Sequence, residues 1–444
     1  MHSERYEDTI AAIATAAGGG IGIIRVSGPD AISTASRVFK ARANDWYRHA
    51  RVMAFGRFVD PSRPHDVALD EGLAVAFHAP KSYTGEDVVE LHLHGGALHL
   101  RRCLDVVLAT GTRLADPGEF TRRAFLNGQI DLTRAEAVAD LVTARTDAAL
   151  RQARAHLRGD LHDRIAALRE RVLDLRARLE VNLDFPEEDI PLMTPASLAE
   201  SALSLASDFA TLAGTYRGGR LMRDGARVVL AGPPNAGKSS LFNALVAHDR
   251  AIVTPIAGTT RDTLEESLDI AGVPVVLIDT AGLRPTDDVI EALGVARSEN
   301  AIAGADLVIR LVPPADPLPA ATAGELIVRS KADLLAFDPA SAAVLAVSAT
   351  TGDGLDDLRR AIAEHLGASN DDGGIVIVRE RQYQALYAAA EAAQRTAGSL
   401  LVGRPSELAA VDLQDVMDAV ASLVGETTIE HMLDRLFATF CIGK

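Results

Sequence analysis

The segment that most narrows the possible folds of this 444-residue chain is Gly232-Pro233-Pro234-Asn235-Ala236-Gly237-Lys238-Ser239-Ser240. It follows the apolar run Val228-Val229-Leu230 and opens a stretch with Leu241, Leu245 and Val246 at helical spacing. A strand that ends in a glycine-rich turn and continues as a helix presents backbone N–H groups and a helix N-terminus to a polyphosphate, and glycine lets the backbone approach it closely. The pattern G-x-x-x-x-G-K-S therefore predicts an α/β domain with a nucleotide at the end of a strand. Lys238 is placed to bridge the β- and γ-phosphates, and the Ser239 hydroxyl to bind Mg²⁺.

The segments downstream point to guanine and to hydrolysis. Asp279-Thr280-Ala281-Gly282 ends the apolar run Val273 to Ile278, where a strand-end Asp can hold the water shell of a metal and the Gly can donate N–H to a γ-phosphate. Between it and the phosphate loop lies Thr259-Thr260-Arg261-Asp262, where Thr260 would complete the Mg²⁺ shell. Ser330-Lys331-Ala332-Asp333 follows another apolar run, and its carboxylate can accept from N1–H and the exocyclic amine of guanine; adenine offers neither donor there. Ser330 stands where GTPases carry Asn, which shortens or removes one hydrogen bond worth about 1 kcal/mol. Ser348-Ala349 supplies the backbone contact to the base. Leu283 follows Gly282 and cannot orient water, so another group must; Asp287, Asp288 and Glu291 are within reach in sequence, as is a monovalent cation beside Asn235.

Composition sets the surroundings. The chain carries 45 basic and 61 acidic side chains, a net charge of −16, so a polyanion would have to be met on locally clustered bases or through a partner. No apolar run approaches the roughly 18 residues of a membrane span. An acidic start without a signal pattern, and two cysteines far apart, predict an intracellular, cytoplasmic protein without disulfides. The texture divides the chain. Residues 1–128 read as an α+β domain, 129–222 as long amphipathic helices (Ile165, Leu168, Val172, Leu175 and Leu179 at helical spacing), 223–370 as the nucleotide-binding α/β domain, and 371–444 as helix again. The fold class expected is multidomain, α/β with α+β, the nucleotide domain being inserted between two halves of one helical domain.

The remaining chemistry-bearing residues are individually ambiguous. Glu90, His92 and His94 alternate along a strand and could share a metal, but read better as the polar side of a half-buried strand whose other side is Val89, Leu91 and Leu93. Cys441, in the terminal Cys441-Ile442-Gly443-Lys444, is as consistent with packing as with nucleophilic catalysis. Arg217, Arg220, Arg223 and Arg227 form a basic patch or a solvated linker face.

Taken in order, the chain resembles the MnmE (TrmE) family of tRNA-uridine-modifying GTPases. The segments carrying the likeness are Gly19 to Gly28, Tyr83-Thr84-Gly85-Glu86-Asp87, His94-Gly95-Gly96, Pro117-Gly118-Glu119-Phe120-Thr121, Arg123 to Gly128, Asp184-Phe185-Pro186-Glu187-Glu188, the nucleotide motifs and the terminal tetrapeptide. The resemblance implies a folate-binding-like N-terminal domain that also dimerises, a split helical domain and an inserted G domain. It implies K⁺-dependent GTP hydrolysis, with K⁺ on Asn235, Thr254, Ile256 and Thr259, the attacking water oriented by Glu291, and GTP contacts from Asn235 through Ser240, Thr254, Thr259, Thr260, Asp279 to Gly282, Ser330, Lys331, Asp333, Ser348 and Ala349. It implies that 5,10-methylene- or 5-formyl-tetrahydrofolate lies near Arg25, Glu90, Gln129 and Lys444, Gln129 standing where the family commonly has lysine. It further implies a heterotetramer with the FAD-dependent protein MnmG (GidA), adding an aminomethyl or carboxymethylaminomethyl group to C5 of the wobble uridine (U34) of tRNA. The alternative is a GTP-switched factor for ribosome or RNP assembly.

Overall fold

Alternation of apolar and polar residues from Ile21 and from Val88 makes half-buried strands, and they sit in the first of two compact units, residues 1–139 with 424–444; the second is 140–423. The structure, a computed structural model, describes residues 8–16, 18–63, 68–184, 194–249, 265–270, 272–279, 301–320, 322–334, 344–366, 374–427 and 430–443. The first unit holds a seven-stranded sheet in the order β3-β4-β5-β6-β2-β1-β7. Its strands are β1 (Ile10–Ile13), β2 (Ile21–Ser27), β3 (Phe39–Ala41), β4 (Ala54–Val59), β5 (Ala68–Phe77), β6 (Val88–His94) and β7 (Arg113–Leu114). All neighbouring pairs are antiparallel except β1 with β7.

Helices Ala31–Val38 and Ala97–Leu108 cover one face of this sheet, and Ile24, Val26, Val89, Leu91 and Leu93 point into the core beneath them. The opposite row, Arg25, Glu90 and His92, is only partly buried. The last helix, Glu430–Phe437, lies with Leu433, Phe437 and Phe440 against Leu132 and Ala135. Gly443, at φ 95°, presses so closely on β1 that a Cβ would stand 2.3 Å from the carbonyl oxygen of Ile13. The chain's end is thereby pinned to its beginning.

The second unit combines helices with a six-stranded sheet, β13-β12-β11-β8-β10-β9. The strands are β8 (Ala226–Ala231), β9 (Glu265–Ile270), β10 (Val273–Asp279), β11 (Leu307–Val312), β12 (Glu325–Arg329) and β13 (Leu345–Ala346), parallel except for β9 against β10. Fully apolar runs such as Val228-Val229-Leu230 fit strands buried on both faces. Helix Asp160–Asp184 buries Ile165, Leu168, Val172, Leu175 and Leu179, as their spacing predicts. Helix Pro195–Gly214, before the sheet, packs along helix Glu380–Leu401, after it.

The Gly- and Arg-rich stretch from Arg217 differs from a solvated linker. It forms a helix, Tyr216–Asp224, held so close to its neighbour that a Cβ on Gly219 would be 2.1 Å from the Ile377 carbonyl oxygen. Two of its arginines are ion-paired, Arg220 with Asp306 and Arg223 with Asp140, and Arg227, on β8, pairs with Glu265. Asp140 Oδ1 also accepts from Arg379 Nη2 at 2.7 Å, so one buried carboxylate joins the chain entering the six-stranded sheet to the chain leaving it. Among the described residues, no helix is long and apolar enough to cross a membrane.

Candidate functional site: a phosphate loop and a base-reading edge

The phosphate loop emerges from β8 and feeds helix Lys238–Asp249. Three positive φ angles shape it, 146° at Gly232, 59° at Asn235 and 90° at Gly237. Gly232 also faces β11, where a Cβ would stand 2.6 Å from the Leu311 carbonyl oxygen. Ala236 is buried beneath the loop, while Asn235, Ser239 and Ser240 are exposed on it. Lys238 is largely buried, and its ammonium donates to the carbonyl oxygens of Gly232 (2.9 Å) and Pro233 (2.8 Å). A cation held at the mouth of a loop of N–H donors is the charge complement of a polyphosphate.

Next to β8, β10 ends at Asp279, which pairs in register with Leu230 and is fully buried. Ser239 Oγ donates to Asp279 Oδ2 at 2.7 Å. A hydroxyl and a carboxylate so joined are hard oxygen donors of the kind Mg²⁺ takes directly or through its waters. The residues present fit that ion.

The residues expected from the sequence to read the base lie beyond β12 and β13. Ser348 is buried and donates through Oγ to Asp333 Oδ1 at 2.7 Å, while its Oγ accepts from Thr350 N and Thr351 N. The Ala332 amide donates to Val347 O, which locks the Asp333 turn to the Ser348-Ala349 loop. Lys331 adopts φ 54°, a turn that lets the chain double back at this edge. Ser330 is buried and its hydroxyl faces the Val312 carbonyl oxygen at 3.4 Å, a long and weak contact.

Gly354 holds this edge in shape: it has φ 74° and a Cβ would stand 2.0 Å from the Ala346 carbonyl oxygen. Gly354→Ala is expected to destabilise the protein by about 1–3 kcal/mol, readable by urea denaturation. Wild-type stability in that variant would mean the loop relaxes at no cost.

In the first unit, Arg25 and Glu90 stand opposite each other on β2 and β6, with Arg25 Nε and Nη2 on Glu90 Oε1 at 3.0 and 2.9 Å. The guanidinium lies 5.6 Å from the ring centres of both Tyr83 and Phe120, and its Nη1 donates to Gly443 O at 3.3 Å. Gln129 is exposed, its amide close to Gly85. The Tyr83 and Phe120 faces, the Arg25 guanidinium and the Glu90 carboxylate, beside Gly443, form a donor set that fits a flat heteroaromatic ring. His92 Nε2 is buried, 3.5 Å from Glu90 Oε2, while His94 pairs with Asp70, so the three alternating residues do not converge on one point. Cys441 is exposed and its carbonyl accepts from Gly118 N. Burial and the nearby Asp70 push the Cys103 thiol up to about 12, so it is inert.

Thr254, Ile256, Thr259, Thr260, Thr280, Ala281, Gly282, Glu291 and Lys444 lie outside the described residues. Sequence reading overlooked one buried cluster. Arg123, 1% exposed, bonds Asp8, Glu86 and Glu119, and Arg113 bonds Asp8 and Glu119. The signal available was Pro117-Gly118-Glu119 followed by Arg123, acid and base one helical turn apart.

Comparison with known proteins agrees along the whole chain. A family model described as the MnmE helical domain matches residues 132–441, and one described as the GTP-binding protein TrmE N-terminus matches 9–129. Proteins named tRNA modification GTPase MnmE from Symbiobacterium thermophilum (46% identical, 99% of this chain and 100% of that one) and Bordetella petrii (45%, 98% of each) are among its relatives. The solved G domain of the T. maritima FeoB iron transporter is 26% identical over 32% of this chain and 98% of its own, at a TM-score of 0.24. With family models over both its parts and full-length relatives above 40% identity, the chain belongs to the MnmE family.

Proposed function

We propose that this protein hydrolyses GTP at the loop around Lys238 and that the hydrolysis serves tRNA modification. The observation that carries the reading is the arrangement along one sheet: the Lys238 loop, the Ser239–Asp279 pair and the Asp333–Ser348 pair all follow the C-terminal ends of parallel strands, the edge at which such sheets bind ligands. The names of its full-length relatives support the tRNA part. Lys238 neutralises phosphate charge, Ser239 and Asp279 hold Mg²⁺ with Thr260, and Asp333 selects guanine while Ser330, Lys331, Ser348 and Ala349 frame the base. Asn235 carries an exposed side chain with no hydrogen bond among the described residues, which suits it to a K⁺ completed by Thr254, Ile256 and Thr259. A cation at the phosphates does the electrostatic task of an arginine finger.

In the finer reading Glu291 aims the attacking water. The folate, when bound, supplies a one-carbon unit. Arg25 and Glu90 would hold it with Gln129 and Lys444, and Cys441 is the candidate nucleophile. The product is a C5-substituted wobble uridine, made with MnmG by a homodimer in the cytoplasm. The split helical domain, with residues 223–370 inserted, fits a helical-family match that runs from 132 to 441.

Two measurements test this. Nucleoside mass spectrometry of tRNA from cells lacking the protein is expected to lose a C5-modified wobble uridine, restored by the wild-type gene; an unchanged nucleoside profile contradicts the role in tRNA. In purified protein, Glu291→Ala is expected to lower GTP turnover roughly 10²-fold with nucleotide affinity nearly intact, and KCl to support faster turnover than NaCl at equal ionic strength. Equal rates for the two proteins remove Glu291 from the water, and equal rates in the two salts remove the K⁺ site.

A further inference from the structure

The chain is acidic overall, yet residues 37–57 carry six bases, Arg37, Lys40, Arg42, Arg48, Arg51 and Arg57, against one acid, Asp45. All six are exposed, and none is ion-paired among the described residues. They lie on and around β3 and β4, the rim of the seven-stranded sheet, and the same stretch exposes Val52 (56%), Met53 (52%) and Phe55 (57%). A lysine on a short edge strand is an ordinary guard against edge-to-edge pairing, which accounts for Lys40 on β3. It does not account for Arg42, Arg48 and Arg51, which sit in the connection between the strands.

Through Lys40, Phe55 and Arg57 the rim continues a face already described, and Arg42 and Arg48 lie in the connection at its edge. Lys40 opposes Arg57 across β3 and β4, and Arg57 in turn opposes the exposed Glu71 on β5, so the basic excess of the rim rests on the residues of β3 and the connection as well as on Arg57. Phe55 opposes Leu73, Leu73 opposes His92, and His92 opposes Ile23, so these four form one row on the side of the sheet away from the helices. The Arg25–Glu90 pair is two residues along the same side. From β2 to β4 is three strand spacings, about 14 Å, and Arg57 stands four residues, about another 13 Å, along the strands from the Arg25–Glu90 row. Arginines with an exposed aromatic residue fit phosphates and unstacked bases better than they fit an acidic protein surface.

We propose that the β3–β4 rim, through Arg42, Arg48 and Arg57 with Phe55, is a docking surface for the tRNA backbone that sets the substrate nucleoside over the Arg25–Glu90 face. This rests on the tRNA reading above. The full-length protein with Arg42→Glu, Arg48→Glu and Arg57→Glu together is expected to bind a tRNA transcript at least tenfold more weakly in fluorescence anisotropy. The slope of log affinity against log salt should fall by about two to three, as three lost phosphate contacts require. The corresponding triple Gln variant, less disruptive to folding, should lower the slope nearly as much. A control with Arg154→Glu, Arg164→Glu and Arg404→Glu, equal in charge change but on exposed arginines elsewhere that form no ion pair among the described residues, should bind nearly as wild type.

Equal weakening by the control, or unchanged affinity of both rim variants, overturns the proposal. So does a rim variant that sediments as a smaller species with unchanged tRNA affinity per protomer, because the surface would then belong to a second copy of the chain. Wild-type protein that binds no tRNA overturns both the proposal and the reading beneath it; wild-type binding that is indifferent to the rim overturns the proposal alone.

Discussion

Lys238→Ala is expected to reduce GTP turnover roughly 10²- to 10³-fold, the scale on which preorganised electrostatic groups act, and to weaken GTP binding more than GMP binding. The lysine is buried at the loop with its ammonium on two backbone carbonyls, so the charge is already desolvated and aimed. Binding a polyphosphate exchanges those two neutral acceptors for anionic oxygens, which strengthens the interaction as negative charge accumulates toward the transition state. Alanine leaves the backbone donors of the loop in place, so residual nucleotide binding is expected. Phosphate release measured under saturating GTP checks the result. Turnover within threefold of wild type would mean the lysine is a packing residue and the catalytic charge comes from elsewhere.

The second large effect is on stability. Arg123→Met should destabilise the first unit by about 3–5 kcal/mol, because Glu86 would lose its cation, Asp8 and Glu119 would be left with the Arg113 cation alone, and the buried Glu119 would lose one of its charged partners. Burial alone would raise the pKa of Glu119, but hydrogen bonds from Arg113, the Asp116 amide and Arg123 outweigh it and hold the carboxyl below its ordinary 4.5. Asp8 is likewise held below 3.8: burial opposes this, and Arg113 and Arg123 prevail. Carboxylates whose folded pKa is depressed stabilise the fold fully above their ordinary values, and that contribution is lost as pH falls through the folded values. Wild-type protein is therefore expected to unfold more easily in urea as pH drops below about 4, and Arg123→Met to show a weaker dependence over the same window. A flat wild-type profile there would remove the cluster from the stability of this unit.

How much could be seen in advance depended on how local the determining interaction is. The phosphate loop was legible because its cause is contiguous: an apolar strand, glycines where φ is positive, then a helix. Asp279 was legible for the same reason, as a carboxylate at the end of a buried run. The helices from Leu132 onward were visible in the spacing of Ile165, Leu168 and Val172. What was not legible was made by residues far apart in sequence. Nothing in Arg223 alone announces Asp140, 83 residues earlier, and nothing near Asp8 announces Arg123, 115 residues later. Reading the arginines after Tyr216 as a patch or solvated face missed their partners for that reason. The inward turn of the Ser330 hydroxyl toward Val312 likewise depends on a neighbouring strand.

In the first unit the alternation of Val89, Leu91 and Leu93 with Glu90 and His92 correctly assigned the two faces of β6, because period two is a local property. That the chain's last residues would return to Arg25 was visible only through resemblance. In the structure the return is carried by Gly443, whose lack of a side chain permits contact with the backbone of Ile13 and whose carbonyl oxygen meets the guanidinium.

Titration calorimetry of the purified protein with GTP and with ATP, in Mg²⁺ and K⁺, shows whether the loop around Lys238 belongs to a guanine-nucleotide site. GTP is expected to bind at least 100-fold more tightly than ATP, and Asp333→Asn to erase most of that preference, since one carboxylate would lose its charge toward the two guanine donors. Equal affinity for the two nucleotides, or a preference untouched by Asp333→Asn, would contradict that assignment.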